Sequence, residues 1–302
     1  MERQTTKRPI GDTWPVILLV TLGLMLLGEI VGYLIVIYPI DQWLVQNLFS
    51  IFGKSQAWNM AKMYLQFIGI WIVVYWAMAI RKKNGPIRKQ LGIESTGKNV
   101  VQLVAGLVLG FGLNGLCIFI ACVHNDIQLS FVEFQPLPCL IIFLAVFIQS
   151  SAEELLCRGY LLGRLLNSYH KPVIAILGNA LFFACLHLLN TGVTVLSVIN
   201  IFLSGVMFSI IVYYTKSLLC AFTLHAAWNF NQNIIFGLPN SGIETTYSIM
   251  KLNRGSARNS FAYDTVFGIE GTIVADIVLA VTCVALYLWF EHKKRTVQEE
   301  AV

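Results

Sequence analysis

The chain has 302 residues, of which 57% are hydrophobic and only 12% charged, and its mean hydropathy is +0.70. That composition excludes an ordinary soluble domain and places the protein among integral membrane proteins. The net charge of +5 reads as a topology signal, helped by anionic lipid at the inner surface, and implies no nucleic-acid partner.

Crossing a hydrocarbon core of about 30 Å takes roughly 20 apolar residues. In chain order the candidate spans are 14–40, 57–80, 100–122, 138–166, 172–189, 193–214, 217–237 and 271–290. The first follows a basic lead, as a signal peptide would. Its run from Trp14 to Ile40 is nevertheless too long for a cleavable core, and it is kept as a span. The fifth is short enough for a tilted or partly crossing helix. Between the last two, residues 238–270 carry Asn240, Ser241, Gly242, Asn253, Arg254, Gly255, Ser256 and Asn259 and read as an external loop. The expected fold is all-α, a polytopic membrane helix bundle of about eight spans in one domain over residues 1–302.

Fifteen of the 21 Lys and Arg residues fall on one side of this arrangement. They are Arg3, Lys7, Arg8, Arg81, Lys82, Lys83, Arg88, Lys89, Lys98, Arg164, Lys171, Lys216, Lys293, Lys294 and Arg295. Lys54, Lys62, Lys251, Arg254 and Arg258 fall on the other, and Arg158 lies within a span. Short cytoplasmic loops hold the excess of positive charge, so both termini are expected in the cytoplasm.

Cys117, Cys122, Cys139, Cys157, Cys185, Cys220 and Cys283 are odd in number, lack metal-ligand spacing and read as small buried hydrophobes. Gly106, Gly110, Gly112 and Gly115, and then Gly159 with Gly163, suit close helix packing, and Asn114, Asn179 and Asn200 suit hydrogen bonds between helices. Trp71, Tyr75 and Trp76 read as interfacial anchors. His124, His170 and His292 read as solvated, and Glu29 as structural or near a lateral opening.

Ionisable groups at bilayer depth are costly unless paired or facing a wet cavity, so Glu153, Glu154 and Arg158 together mark a functional site. On a helix, residues four apart share a face and neighbours are turned by about 100°. Glu154 can therefore pair with Arg158, while Glu153 points elsewhere and is left free to accept a proton from water. The next span pairs Phe183 with His187, and the seventh pairs His225 with Asn229. Across the seventh span the depth of His225 favours a site near the cytoplasm, whereas His187 falls at the far end of the fifth.

These three patterns, a double glutamate followed by x-x-x-Arg, then Phe-x-x-x-His, then His-x-x-x-Asn, resemble those of the CPBP family of intramembrane proteases. That family includes the CAAX prenyl endopeptidases and the Abi-type bacteriocin-processing and self-immunity proteins. The resemblance covers 138–237 and no motif position departs from it. It implies a multi-pass endopeptidase with Glu153 activating water and His187, His225 and Asn229 about the scissile carbonyl, and the depth of His225 adds the expectation of a site opening toward the cytoplasm. Glu154 and Arg158 belong to the same functional set. The implied partners are membrane lipid and a protein or peptide substrate, with a prenylated protein and a leader peptide as the two classes admitted. Glu153, His187 and His225 would also suit a catalytic zinc, and the metal-free and zinc readings both stand. A non-catalytic immunity or scaffold protein using the same cavity is the alternative.

Overall fold

The computed structural model describes residues 10–48, 53–80, 84–89, 96–169 and 171–299. Arg3, Lys7, Arg8, Arg81, Lys82, Lys83 and His170, which enter the readings above, lie outside the described residues. All eight apolar stretches coincide with helices. These are α1 (Trp14–Val45), α2 (Gln56–Ile80), α3 (Thr96–Val123), α4 (Pro136–Ser168), α5 (Pro172–Leu186), α6 (Val195–Thr215), α7 (Leu219–Asn229, continued by Phe230–Ile235) and α8 (Ile273–Glu299).

Among the described residues, α1 to α4, α6 and α8 are long and apolar enough to cross a bilayer, which makes this an integral, multi-pass protein built as an α-helical bundle. The 15 residues of α5 rise only about 22 Å at 1.5 Å each, less than the hydrocarbon thickness. Leu188 and Leu189, just past its end, are 48% and 98% exposed, as suits residues facing lipid. Two short strands, β1 (Leu129–Phe131) and β2 (Met250–Leu252), pair antiparallel with Ser130 opposite Lys251 and tie the 238–270 segment to the α3–α4 connection.

α7 packs between α3 and α4, α1 lies along α2, and α6 separates α5 from α8. The α3–α7 contact depends on missing side chains. A methyl group at Gly106 would overlap the Cys220 carbonyl, and one at Gly110 would overlap the Leu224 carbonyl and lie 2.6 Å from the Ala227 methyl. Gly112, by contrast, meets nothing within 4 Å. Gly110→Leu should push the two helices apart and destabilise the fold by about 1–3 kcal/mol or more. Thermal unfolding in detergent measures this, and an unshifted midpoint would contradict the packing role.

The three asparagines do bridge helices. Asn114 Nδ2 donates to Gln232 Oε1 at 2.7 Å, Asn179 Nδ2 to the Cys157 carbonyl at 2.6 Å, and Asn200 Nδ2 to Asp276 Oδ1 at 3.1 Å. Trp71 departs from expectation: its indole donates to Ser151 Oγ at 2.9 Å and its ring meets Phe222 edge-on, so it joins helices and is no interfacial anchor. The seven cysteines are all unbridged, and Cys185 alone of them is exposed.

His124 is likewise engaged, because its Nδ1 lies 2.9 Å from the fully buried Asp126, which also holds Ser260 Oγ at 2.6 Å and Arg258 Nε at 3.3 Å. Burial acts to raise the Asp126 carboxyl, but the hydrogen bonds from Ser260 and His124 and the nearby positive charge outweigh it and hold it below its ordinary 3.8. A carboxyl depressed in the folded state stabilises above its unfolded value and loses that contribution as pH falls through the folded one. The anchor should hold above pH 3.8 and loosen progressively below it. Pepsin cleavage within 253–263 on either side of that value is the check, and Asp126→Asn should loosen the same segment at neutral pH.

Candidate active site

Gln149, Glu153, Glu154 and Arg158 step along the middle of α4 on two adjacent faces. In α4 and α7 hydrogen bonding changes from i→i−4 to i→i−5 at the site, directly after Glu154 in one helix and directly after Asn229 in the other. The wider turns run over Leu155–Leu161 in α4 and Phe230–Ile235 in α7. Such π-type turns recur at functional sites because they re-aim the side chains beyond them.

On the inner face of α4, Arg158 Nη1 donates to Glu154 Oε1 at 2.8 Å, and neither side chain has any exposed surface. The guanidinium also lies 4.1 Å from the centre of the Phe183 ring and 5.0 Å from that of Phe208, where cation–π attraction offsets part of its desolvation. On the adjacent face, Glu153 turns into a cavity of about 260 Å³, where Gln149 Nε2 donates to its Oε1 at 2.6 Å.

α5 ends so that His187 caps it at φ −98° and ψ 0°, with Nδ1 2.9 Å from the Phe183 carbonyl. A carbonyl can only accept, so Nδ1 carries the proton and Nε2 of the neutral ring offers a lone pair. His225 is fixed in the same sense: its Nδ1 lies 3.0 Å from Glu154 Oε1, and its Nε2 stands 3.8 Å from Glu153 Oε2. The His225 ring stacks on Phe208 at 5.1 Å, and Phe183 meets His187 and His225 edge-on at 4.8 and 6.3 Å. Asn229 Nδ2 donates to Gln149 Oε1 and Ser150 Oγ, each at 3.2 Å, and Asn229 Oδ1 accepts from Asn240 Nδ2 at 3.1 Å.

Glu153, Phe183, His187, His225 and Asn229 all line the one cavity, whereas Glu154 and Arg158 stand behind it. The fold therefore separates the two glutamates, and it adds a contact that helix geometry within α4 could not reveal, the grip of Glu154 on His225. Gln149, four residues before Glu153, was legible in principle as a polar residue on the glutamate's own face. Asn240 and Glu270, which also line the cavity, come from the polar segment before α8 and carry no local signal. Glu29 of α1 lies at the cavity too, on its exposed lateral side.

A zinc site would need Glu153, His187 and His225 to converge. Among the described residues no three His, Cys, Asp or Glu side chains lie close enough to hold a metal ion. As arranged, these residues do not fit a metal.

Residues 135–231 match the family of Rce1-like type II CAAX prenyl endopeptidases. The matched segment runs from the start of α4 into the π-type turns of α7 and contains every motif residue, so the three patterns and the family agree over this third of the chain. The Rce1-like segment also holds Gln149 and Ser150, while Glu29, Asn240 and Glu270 lie outside it. No curated protein and no solved structure matches the chain.

Proposed function

We propose that the protein is an intramembrane endopeptidase that hydrolyses a peptide bond of a membrane-associated protein or peptide, with Glu153 as general base. The observation that carries this reading is the Glu153 carboxylate, within the Rce1-like segment, whose Oε2 faces His225 Nε2 at 3.8 Å inside the cavity. The two atoms stand beyond direct hydrogen-bond length, yet a single oxygen can lie about 2.8 Å from both.

In the proposed reaction Glu153 takes a proton from water, the resulting hydroxide adds to the scissile carbonyl, and the same carboxyl returns the proton to the departing amine. His225 acts as the imidazolium, with Nδ1–H held by Glu154 and Nε2–H turned to the oxyanion, and His187 stands across the Phe183 ring. Both amide hydrogens of Asn229 are taken by Gln149 and Ser150, which suits it to holding the base rather than the oxyanion. Glu154 with Arg158 holds His225 in register.

The cavity extends from the middle of α4, α6 and α7 toward the end of the bundle that carries His187, Asn190, Asn240, Ser241 and Glu270, opposite the helix ends next to Lys171 and Lys216. With both termini in the cytoplasm this is the outer end. The proposed route is therefore sideways from the lipid, past Met25 and Glu29 of α1, rather than from the cytoplasm. A prenyl chain or an apolar leader segment would suit such a route.

The test compares new peptide termini in membranes of cells carrying the intact chain or Glu153→Ala. Termini that appear only with the intact chain are expected. No difference would overturn the protease reading and leave a peptide-binding role for the cavity.

A further inference from the structure

At Asn240–Ile243 the chain folds back over the cavity in a two-residue turn. Asn240 N–H donates to the Ile243 carbonyl at 3.0 Å and Ile243 N–H to the Asn240 carbonyl at 2.8 Å. Both central residues have positive φ, 47° at Ser241 and 81° at Gly242, as tight hairpin turns of this kind require. Glycine takes that conformation freely, but serine holds it only where its surroundings over-determine it.

Here they do. Glu270 Oε2 accepts from Ser241 N–H at 2.6 Å and from Ser241 Oγ at 2.8 Å, and Asn190 Nδ2 donates to the Ser241 carbonyl at 3.0 Å. The other oxygen of Glu270 accepts the Trp228 indole N–H at 3.0 Å, so this buried carboxylate spans the turn and α7. Burial raises its carboxyl, and the hydrogen bonds from Ser241 and Trp228 act against that rise.

From the turn, side-chain amides run to the proposed base without a break. Asn240 Nδ2 donates to Asn229 Oδ1 at 3.1 Å, Asn229 Nδ2 to Gln149 Oε1 at 3.2 Å, and Gln149 Nε2 to Glu153 Oε1 at 2.6 Å. Asn229 and Gln149 each accept from the turn side and donate toward Glu153. Reversing either would set N–H against N–H on its turn side, so the orientation of each fixes the next.

The geometry points to Glu270 as a positioning residue of the site: by pinning Ser241 and Trp228 it fixes the 240–243 turn, and through Asn240, Asn229 and Gln149 it fixes the carboxylate of Glu153. The catalytic consequence rests on the endopeptidase reading, whereas the anchoring of the turn does not. Glu270, Ser241 and Asn240 all lie outside the segment 135–231, so this device belongs to the chain's own 238–270 region.

The test uses the full chain in lipid nanodiscs, with Glu270→Gln and the milder Ser241→Ala, and two readouts. Amide exchange over 240–243 needs no substrate and should speed up by about tenfold or more in Glu270→Gln, because the charge-assisted bond to Ser241 N–H is lost. With an internally quenched peptide bearing a farnesylated cysteine three residues from its C-terminus, kcat should fall about tenfold to a hundredfold in Glu270→Gln and several-fold in Ser241→Ala. KM should stay within about threefold, because misplacing the base does not alter ground-state binding.

Unchanged exchange over 240–243 in Glu270→Gln would overturn the proposal. So would a kcat within twofold of the parent in both variants, or a loss of rate that only follows the loss of folded protein. If Glu270→Gln fails to fold, Ser241→Ala decides on the same two readouts. If the parent chain cleaves nothing while exchange still rises in Glu270→Gln, the endopeptidase reading falls and the anchoring stands.

Discussion

Glu153→Gln should lower the rate of peptide cleavage by about 10²-fold to 10⁴-fold, the range that a positioned general base supplies, while leaving the thermal midpoint where it is. The amide has the shape of the carboxylate and keeps an oxygen for the 2.6 Å bond from Gln149 Nε2, so the fold loses nothing. It cannot take a proton from water near neutral pH. Its effect should therefore fall on kcat, with KM little changed. Glu153 has one more informative neighbour, the Nε2 of His225 at 3.8 Å. His225→Ala should depress kcat to a similar degree, and the double variant Glu153→Gln with His225→Ala should be little worse than either alone, because groups that act on one water and one oxyanion form a unit. Rates measured with purified protein on the quenched peptide settle this. An active Glu153→Gln enzyme would remove the residue from the chemistry.

The second large effect concerns stability. Arg158→Leu leaves the fully enclosed Glu154 without its guanidinium partner, and breaking a buried pair on one side costs about 3–5 kcal/mol. Glu154→Leu strands the guanidinium between Phe183 and Phe208 with a similar penalty. Replacing both residues by leucine should recover most of the loss, since an apolar pair of similar volume is often as stable as a buried ion pair. Activity should not recover with it, because His225 Nδ1 then loses the oxygen that it meets at 3.0 Å. The thermal midpoint and the cleavage rate are thus expected to part company in the double variant. If both return together, Glu154 has no hold on His225 and the pair is purely structural.

Hydropathy made the helices legible. All eight apolar stretches form helices because a chain in hydrocarbon must satisfy its backbone polar groups within each segment. The four-residue spacing was equally informative: it separates Glu153 from the Glu154–Arg158 pair without any knowledge of the tertiary fold. What could not be read were the contacts that depend on distant parts of the chain. Nothing near Glu270 in sequence points to Trp228 or Ser241, and the π-type turns that re-aim α4 and α7 have no composition of their own. Trp71 departs from its expected place for a related reason. An aromatic close to a span end resembles an interfacial anchor, and only the neighbouring helix shows that its N–H has a partner in Ser151.

The turn that follows α5 has a consequence for how this sequence can change. Loops usually absorb insertions and deletions because they run over a free surface. Here Asn190 reaches the Ser241 carbonyl, Gly242 lies so close to the Thr191 carbonyl that a side chain there would overlap it, and His187 begins the turn from inside the cavity. One residue more or less between 187 and 194 would shift all three together. Among chains that share this site, the spacing from His187 to the start of α6 should therefore vary far less than is usual for a connecting loop, and length variation should gather in the exposed stretch around Asn253 to Ser256.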